Sequence, residues 1–502
     1  MKVSKKIARC TLATAMIACL GFTVFAATEH WNDASSPAAT PRAEWTAWKQ
    51  EWETVQKDYE KIALNVGRNP SELNFGWYSH TSEVPVIKLS TSPNMKNAKT
   101  FTGTQEKIKQ QNGIQYYANK VTVDKLKENT TYYYTYISNG RESAPAQYRT
   151  HSFSSFKALY VGDPQIGASN GQISSEGETM AKLIAARNDS FNWNKTLQMA
   201  VKKNPDLSFI ISVGDQINDT ANGENQEYEY AGFLNPSILR SIPLSTLIGN
   251  HDSKFNNYSN HFNNPNTFDG AESIYTLGRT AAGTDYYYTY GNALFIVLDT
   301  NNYNCQTHEN VMKKAIQLHG DKKWRIVMFH QDIYGSGYDH SDSDGIVLRT
   351  QLTPLFDKYA VDVVLQGHDH TYSRTYQLTG DGKNHPVFSS SPVKASSSPA
   401  EKAPYLAANN AYHIVSSQVG GTITNPKGTV YLEANSATGS KFYNLIAVQQ
   451  NYIAERSQTW TPSYAVIAID NNSFSVTTFD ATTGEILAGS TPYKIIKTGT
   501  RN

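Results

Sequence analysis

The sequence predicts an α/β protein preceded by a small β-sandwich. Three observations predict it. Short period-two strands between turn clusters fill residues 63–153. From Phe156 onward, apolar β-branched runs alternate with helical segments. Several of those runs stop at Asp, Asn or His, often after a glycine, and α/β sheets bind their ligands at strand carboxyl ends.

The chain has 502 residues, enough for two or three domains. At 39% hydrophobic and 18% charged it is globular in composition rather than disordered. Lys+Arg 45 against Asp+Glu 44 leaves a net charge of +1. No global field argues for nucleic acid or an anionic membrane as partner.

Residues 1–27 are expected to be a secretory signal peptide. Lys2, Lys5, Lys6 and Arg9 form a basic start, an apolar run extends from Cys10 to Phe25, and Ala26-Ala27 offers a cleavage site. The run is short for a membrane span. Ala18-Cys19 lies inside it, which argues against a lipid-attachment site. A secreted or cell-surface location is therefore expected, with no membrane span in the mature chain. Cys10 and Cys19 leave with the signal, so Cys305 remains alone and no internal disulfide is expected.

Residues 28–62 read as an N-terminal helical segment. Trp45, Trp48, Trp52 and Val55 recur at helical spacing and form a packing face. Residues 63–153 alternate over Leu73–Tyr78, Val84–Leu89, Tyr116–Val123 and Tyr132–Ile137. The stretch Leu126–Tyr134 resembles the start of a strand in fibronectin type III-like modules. Nothing in it carries chemistry.

Residues 154–502 form the α/β part. Lys157–Val161 ends at Gly162-Asp163, and Leu207–Val213 ends at Gly214-Asp215. Between them Trp193, Leu197, Ala200 and Val201 mark one face of a helix. Ile242–Ile248 ends at Gly249-Asn250-His251-Asp252, and Trp324–Phe329 ends at His330. Val361–Gln366 ends at Gly367-His368-Asp369-His370. Residues 379–411 are Ser/Pro/Ala-rich and read as a surface loop. Tyr464–Ile469 and Ser473–Phe479 return to strands that would close the sheet.

Asp163, Asp215, Asn250, His330, His368 and His370 are thus gathered at one sheet edge. Oxygen and nitrogen donors without thiolates suit Fe, Mn or Zn in a working site rather than structural zinc. Singly, each has a plainer role as a turn residue, cap or satisfied histidine. Their joint placement points to metal.

In this order the segments resemble the five blocks of the calcineurin-like metallophosphoesterases. The preceding β-sandwich and Gly428–Leu432 resemble the purple acid phosphatase branch. The resemblance implies a four-layer α/β/β/α sandwich behind a fibronectin type III-like β-sandwich. It implies two metal ions. One would be held by Asp163, Asp215 and His370, the other by Asp215, Asn250, His330 and His368, with Asp215 as bridge. It places His251 against the phosphate and the leaving group, and it gives His340 a substrate-facing position. The implied activity is hydrolysis of a small phosphate ester, with a metal-bound water as nucleophile. A phosphodiesterase or nucleotidase would use the same residues, and a non-catalytic surface-binding protein would not need them.

Two departures from the family pattern stand out. The tyrosine that colours purple acid phosphatases is replaced by Asn218, so the protein is expected not to be purple. Asn218 or Asp219 could substitute as an oxygen donor. Many family members have Asp-x-His where this chain has Asp163-Pro164-Gln165. Gln165 could offer a carbonyl oxygen to the first metal or hydrogen-bond a bound water.

Overall fold

Two β-sheets lie face to face, and helices cover their outer faces. The computed structural model describes residues 31–268, 278–338, 340, 345–385 and 398–499. The expected signal peptide lies outside the described residues.

The first sheet is built on Phe156–Val161, Leu207–Ser212 and Leu244–Thr246, which run parallel. Ser463–Ile469 joins Phe156–Val161 antiparallel, and Ser473–Asp480 follows it, so the tail does close this sheet. The second sheet is built on Ala293–Val297, Trp324–Met328, Val363–Gln366 and Val430–Glu433, also parallel. Ala158, Phe209 and Ile211 face Phe295, Ile326, Met328 and Val363 in the core between the sheets. The Tyr160 hydroxyl crosses that core, lying 2.9 Å from the Leu432 carbonyl and accepting from the Gln366 N–H at 3.2 Å.

Successive strand residues point to opposite faces, so each sheet has a second apolar side. Leu159, Val161 and Ile210 meet Trp193, Leu197 and Ala200 of the helix Lys182–Lys203. Ile296, Val327 and Val364 meet the helices Cys305–His319 and Gly345–Lys358 through Val311, Met312, Leu352 and Phe356. The layers run α/β/β/α as expected. Trp193 is fully buried, and its indole N–H donates to the Phe233 carbonyl at 2.9 Å.

The N-terminal β-sandwich encloses Phe75, Trp77, Val121 and Tyr134. Its strand Ala63–Val66 pairs antiparallel with Leu73–Ser79 and parallel with Leu244–Thr246 through Asn65 and Leu244. One face of the sandwich is therefore continuous with the first of these two sheets, giving eleven strands among the described residues.

The tryptophan face of the helix Arg42–Val55 packs on Lys182–Lys203. Trp45 stands edge-on to Phe191 at 5.5 Å, and the Trp48 indole donates to the Arg187 carbonyl at 2.8 Å. One expectation needs correcting. The segment read as a surface loop contains a helix, Pro399–Ala408. Ser398 and Glu401 start it with a capping box: the Ser398 N–H donates to Glu401 Oε2 at 2.7 Å, and the Glu401 N–H to Ser398 Oγ at 3.4 Å. The Ser-Pro opening is a helix start, with proline in the first turn.

Candidate metal centre

Both parallel strand sets end at the same edge, and each candidate ligand stands there. Asp163 follows Phe156–Val161, Asp215 follows Leu207–Ser212, and Asn250 lies beyond Leu244–Thr246. His330 follows Trp324–Met328, and His368 and His370 follow Val363–Gln366. All are buried except Asn250, which is half-buried.

The backbone reaches this arrangement by turning left-handed. φ is +46° at Asp163, +36° at Gln165, +49° at Asp215, +80° at His368 and +49° at His370. Residues with a Cβ rarely adopt this region, and such strain gathers at functional sites. Gly249 supplies the room: a Cβ there would lie 2.0 Å from Asp215 Oδ1.

His330 Nε2 is the geometric centre of the group. It lies 3.0 Å from Asn250 Oδ1, 3.1 Å from His368 Nδ1 and 3.3 Å from Asp215 Oδ2. His370 Nε2 lies 3.5 Å from Asp163 Oδ1. Donor atoms of Asp215, His330 and His368 all fall within 4.8 Å of one another. His330 Nδ1 donates to the Val213 carbonyl at 2.8 Å, and His370 Nδ1 to the Lys441 carbonyl at 2.7 Å. Backbone bonds of this kind fix the tautomer and ring orientation of a ligating histidine.

Two further observations fit a metal. Asp163 Oδ1 and Gln165 Oε1 are buried and accept no hydrogen bond from the described residues. Leaving a buried oxygen unpaired costs about 1–3 kcal/mol, a cost that a cation offsets. The cluster also calls for positive charge. Burial raises the Asp163 carboxyl to about 7, against the pull of His330. Burial opposes the charge on Asp215 too, yet His330 and His251 hold it well below the usual carboxylate range. In return His330, whose burial alone would lower it, is raised to about 10 by Asp215.

The remaining candidates sit around this group. The His251 N–H donates to Asp215 Oδ1 at 2.9 Å, and its Nε2 is 3.8 Å from Asp215 Oδ2. Its Nδ1 bonds the Asn218 carbonyl. Burial lowers its pKa. The His340 ring packs 3.9 Å from that of His368. Gln165 lies beside Asp215, its backbone N–H donating to the Asp215 carbonyl at 2.8 Å. Asp219 is excluded as a donor to the cluster. Its Oδ1 accepts from the Ala221 and Asn222 N–H groups, and its Oδ2 from Lys182 and Asn225.

Residues 156–372 match the calcineurin-like phosphoesterase family, and residues 59–155 match the purple acid phosphatase N-terminal domain. Residues 156–372 form a calcineurin-like metallophosphoesterase domain. Purple acid phosphatase 1 of Ipomoea batatas is 24% identical over 322 residues, 61% of this chain and 62% of that protein. Human acid phosphatase type 7 is 24% identical over 198 residues, 36% of this chain. The chain spans 41% of the length of that relative. In fold it is similar to purple acid phosphatase PPD1 of yellow lupin, with TM-score 0.60 and 13% identity over 88% of this chain and 74% of that one. The structure of PhoD aligns with TM-score 0.51 at 10% identity, over 89% of this chain and 94% of that one.

The metallophosphoesterase site contains residues that sequence reasoning missed. Lys441 and Tyr443 come from the loop after Val430–Glu433 and wall one side of it. Asp332, Asp369 and Glu433 form a second buried carboxylate group, with Asp369 between His368 and His370 in the chain. Hydroxyls of Thr371 and Ser373 donate to Glu433 at 2.9 and 2.7 Å. Burial holds the Glu433 carboxyl well above its ordinary value. A single lysine in a loop carries no spacing signal; its role emerges only when the loop is folded back against His370.

Proposed function

We propose that this chain is an exported phosphatase that hydrolyses small phosphomonoesters at a dinuclear metal centre. The observation that carries the reading is the convergence on Asp215. His330 and His251 approach it, Asn250 meets His330, and the unpaired oxygens of Asp163 and Gln165 belong to the same buried group. A donor set of this kind suits two ions from among Fe, Mn and Zn.

Asp163, Gln165, Asp215 and His370 would hold one ion, and Asp215, Asn250, His330 and His368 the other. When bound, the pair would supply Lewis-acid charge and an activated water. The residues of this chain do the rest. Left-handed backbone at five positions fixes the donors before any ion arrives. Burial of the histidines keeps bulk water from screening the phosphoryl charge. His251 is held through Nδ1 by the Asn218 carbonyl, which leaves Nε2 as the atom that carries a proton to the departing alkoxide. His340, against His368, faces the substrate side.

Export is supported by the basic start and apolar run of residues 1–27. No helix among the described residues is long and apolar enough to cross a membrane. The test is turnover of p-nitrophenyl phosphate and bis-p-nitrophenyl phosphate after chelation and return of Mn, Fe or Zn. Metal-dependent release from the monoester is expected. No metal-dependent release from either ester would end the reading. Export is checked separately by sequencing the N-terminus of protein recovered outside the cytoplasm, where a chain beginning near Thr28 is expected.

A further inference from the structure

We propose that Lys441 is a substrate-binding residue that selects phosphomonoesters over phosphodiesters. The inference rests on the phosphatase reading above and names the specificity of that same site.

The loop that carries Lys441 is fastened to the ligand strands. The Ser436 hydroxyl donates to the Asp163 carbonyl at 3.1 Å, and the Thr438 hydroxyl to the Pro164 carbonyl at 2.8 Å. The Ala437 N–H donates to the Gly162 carbonyl at 2.8 Å, and the Asn32 N–H to the Gly439 carbonyl at 2.7 Å. The Lys441 carbonyl then accepts a hydrogen bond from His370 Nδ1–H at 2.7 Å. Its backbone is thus tied to the candidate ligands.

The side chain faces the same way. Its ammonium stands 4.5 Å from the centre of the Tyr443 ring. That ring lies 5.1 Å from His370 and 5.3 Å from His340. No ion pair to a described carboxylate consumes the lysine charge, and its partner in place is an aromatic face. A fixed cation at the rim of a phosphate site, half-buried and held by a ring rather than by an acid, is placed to receive an anion.

The selection follows from charge. Above a pH of about 6 a phosphomonoester is a dianion whose two charges are shared by three oxygens. A diester is a monoanion whose charge is shared by two. With two ions held by the candidate ligands, the third anionic oxygen, which only the monoester has, would be left for Lys441. Lysine meets it as a point charge, without the bidentate demand of arginine.

The test uses the full mature chain, loaded with metal, at pH 7. Lys441→Met keeps the length and removes the charge. It should lower kcat/KM for p-nitrophenyl phosphate by about 30-fold, the size of one charge-assisted hydrogen bond. The loss on bis-p-nitrophenyl phosphate should stay below about 3-fold. Inorganic phosphate, titrated calorimetrically, should bind at least about 10-fold more weakly. Lys441→Arg should recover most of both losses. Metal content by mass spectrometry should match the parent in each variant, which separates this role from support of His370. Equal losses on the two esters, unchanged phosphate binding, or a loss of metal that accounts for the defect would overturn the proposal. If the parent protein hydrolyses neither ester, the phosphatase reading fails. The phosphate titration still decides Lys441, and a parent that binds no phosphate overturns it as well.

Discussion

The two halves of the candidate centre are built differently. Around His330 the donors lie close, with Asn250 and His368 at 3.0 and 3.1 Å and Asp215 at 3.3 Å. Around Asp163 they stand further apart, with His370 at 3.5 Å, and two buried oxygens go unpaired. By the resemblance drawn from the sequence, the close half would keep the family's donors. The open half is where the chain departs, with Asn218 at the tyrosine position and Gln165 at the histidine position. If Asp215 is the bridge, a site can keep it constant while one flank changes its chemistry.

The largest effect should come from the close half. Asn250→Ala should reduce kcat by about 10²–10³-fold, the scale of losing one preorganised polar group at a reacting centre. Circular dichroism should show the fold intact. Retained activity would remove Asn250 from the site.

The open half should respond more gently. Gln165→Ala should weaken one of two bound metals by about 10–100-fold, the range for groups that tune a metal site. At limiting metal, mass spectrometry should find the stoichiometry falling from two toward one. Two ions held as tightly as before would show that Gln165 only bonds water. Between the halves, Gly249→Ala forces a Cβ onto Asp215 Oδ1, which it would approach to 2.0 Å. Overpacking of this sort should cost about 1–3 kcal/mol in urea unfolding. It should also impair both metals together, because Asp215 would serve both.

A further contrast is optical. Iron-loaded protein should show no visible phenolate-to-iron band, since Asn218 cannot supply one. A purple preparation would mean that another tyrosine reaches the open half. The smallest effect concerns Cys305, which is outside the donor set of both halves. Burial, aided by Asp285, pushes its thiol up to about 12. A raised thiol pKa favours the folded state below the ordinary value of about 8.5, and that contribution is lost as pH rises through the folded one. Iodoacetamide at pH 8 should therefore label the unfolded chain quickly and the native chain slowly. Fast native labelling would contradict this.

Strand-end donors were legible because apolar runs such as Leu207–Val213 are long and stop abruptly at Gly-Asp. The β-sandwich was legible from alternation over Leu73–Tyr78 and Tyr132–Ile137, which the strands Leu73–Ser79 and Thr131–Ser138 reproduce. What failed to show was anything carried by tertiary folding alone. Left-handed φ at Asp163, Gln165, Asp215, His368 and His370 has no compositional mark, since none is glycine. Lys441 is separated from His370 by seventy-odd residues and joins it only through the loop after Val430–Glu433. The helix Pro399–Ala408 was hidden by Ser and Pro, residues that open helices as readily as they break them. Asp219, offered as a substitute donor, is spent on its own turn.

The strand Ala63–Val66 hydrogen-bonds on one side to the β-sandwich and on the other to Leu244–Thr246. Asn250 stands six residues beyond Leu244. A sheet shared in this way transmits no hinge: the front module cannot swing over the pocket as a lid would. Severing it would bare two unpaired strand edges, the template that invites aggregation. The module is then a fixed buttress, and a shortened catalytic fragment should be recovered as aggregate rather than as a smaller working enzyme.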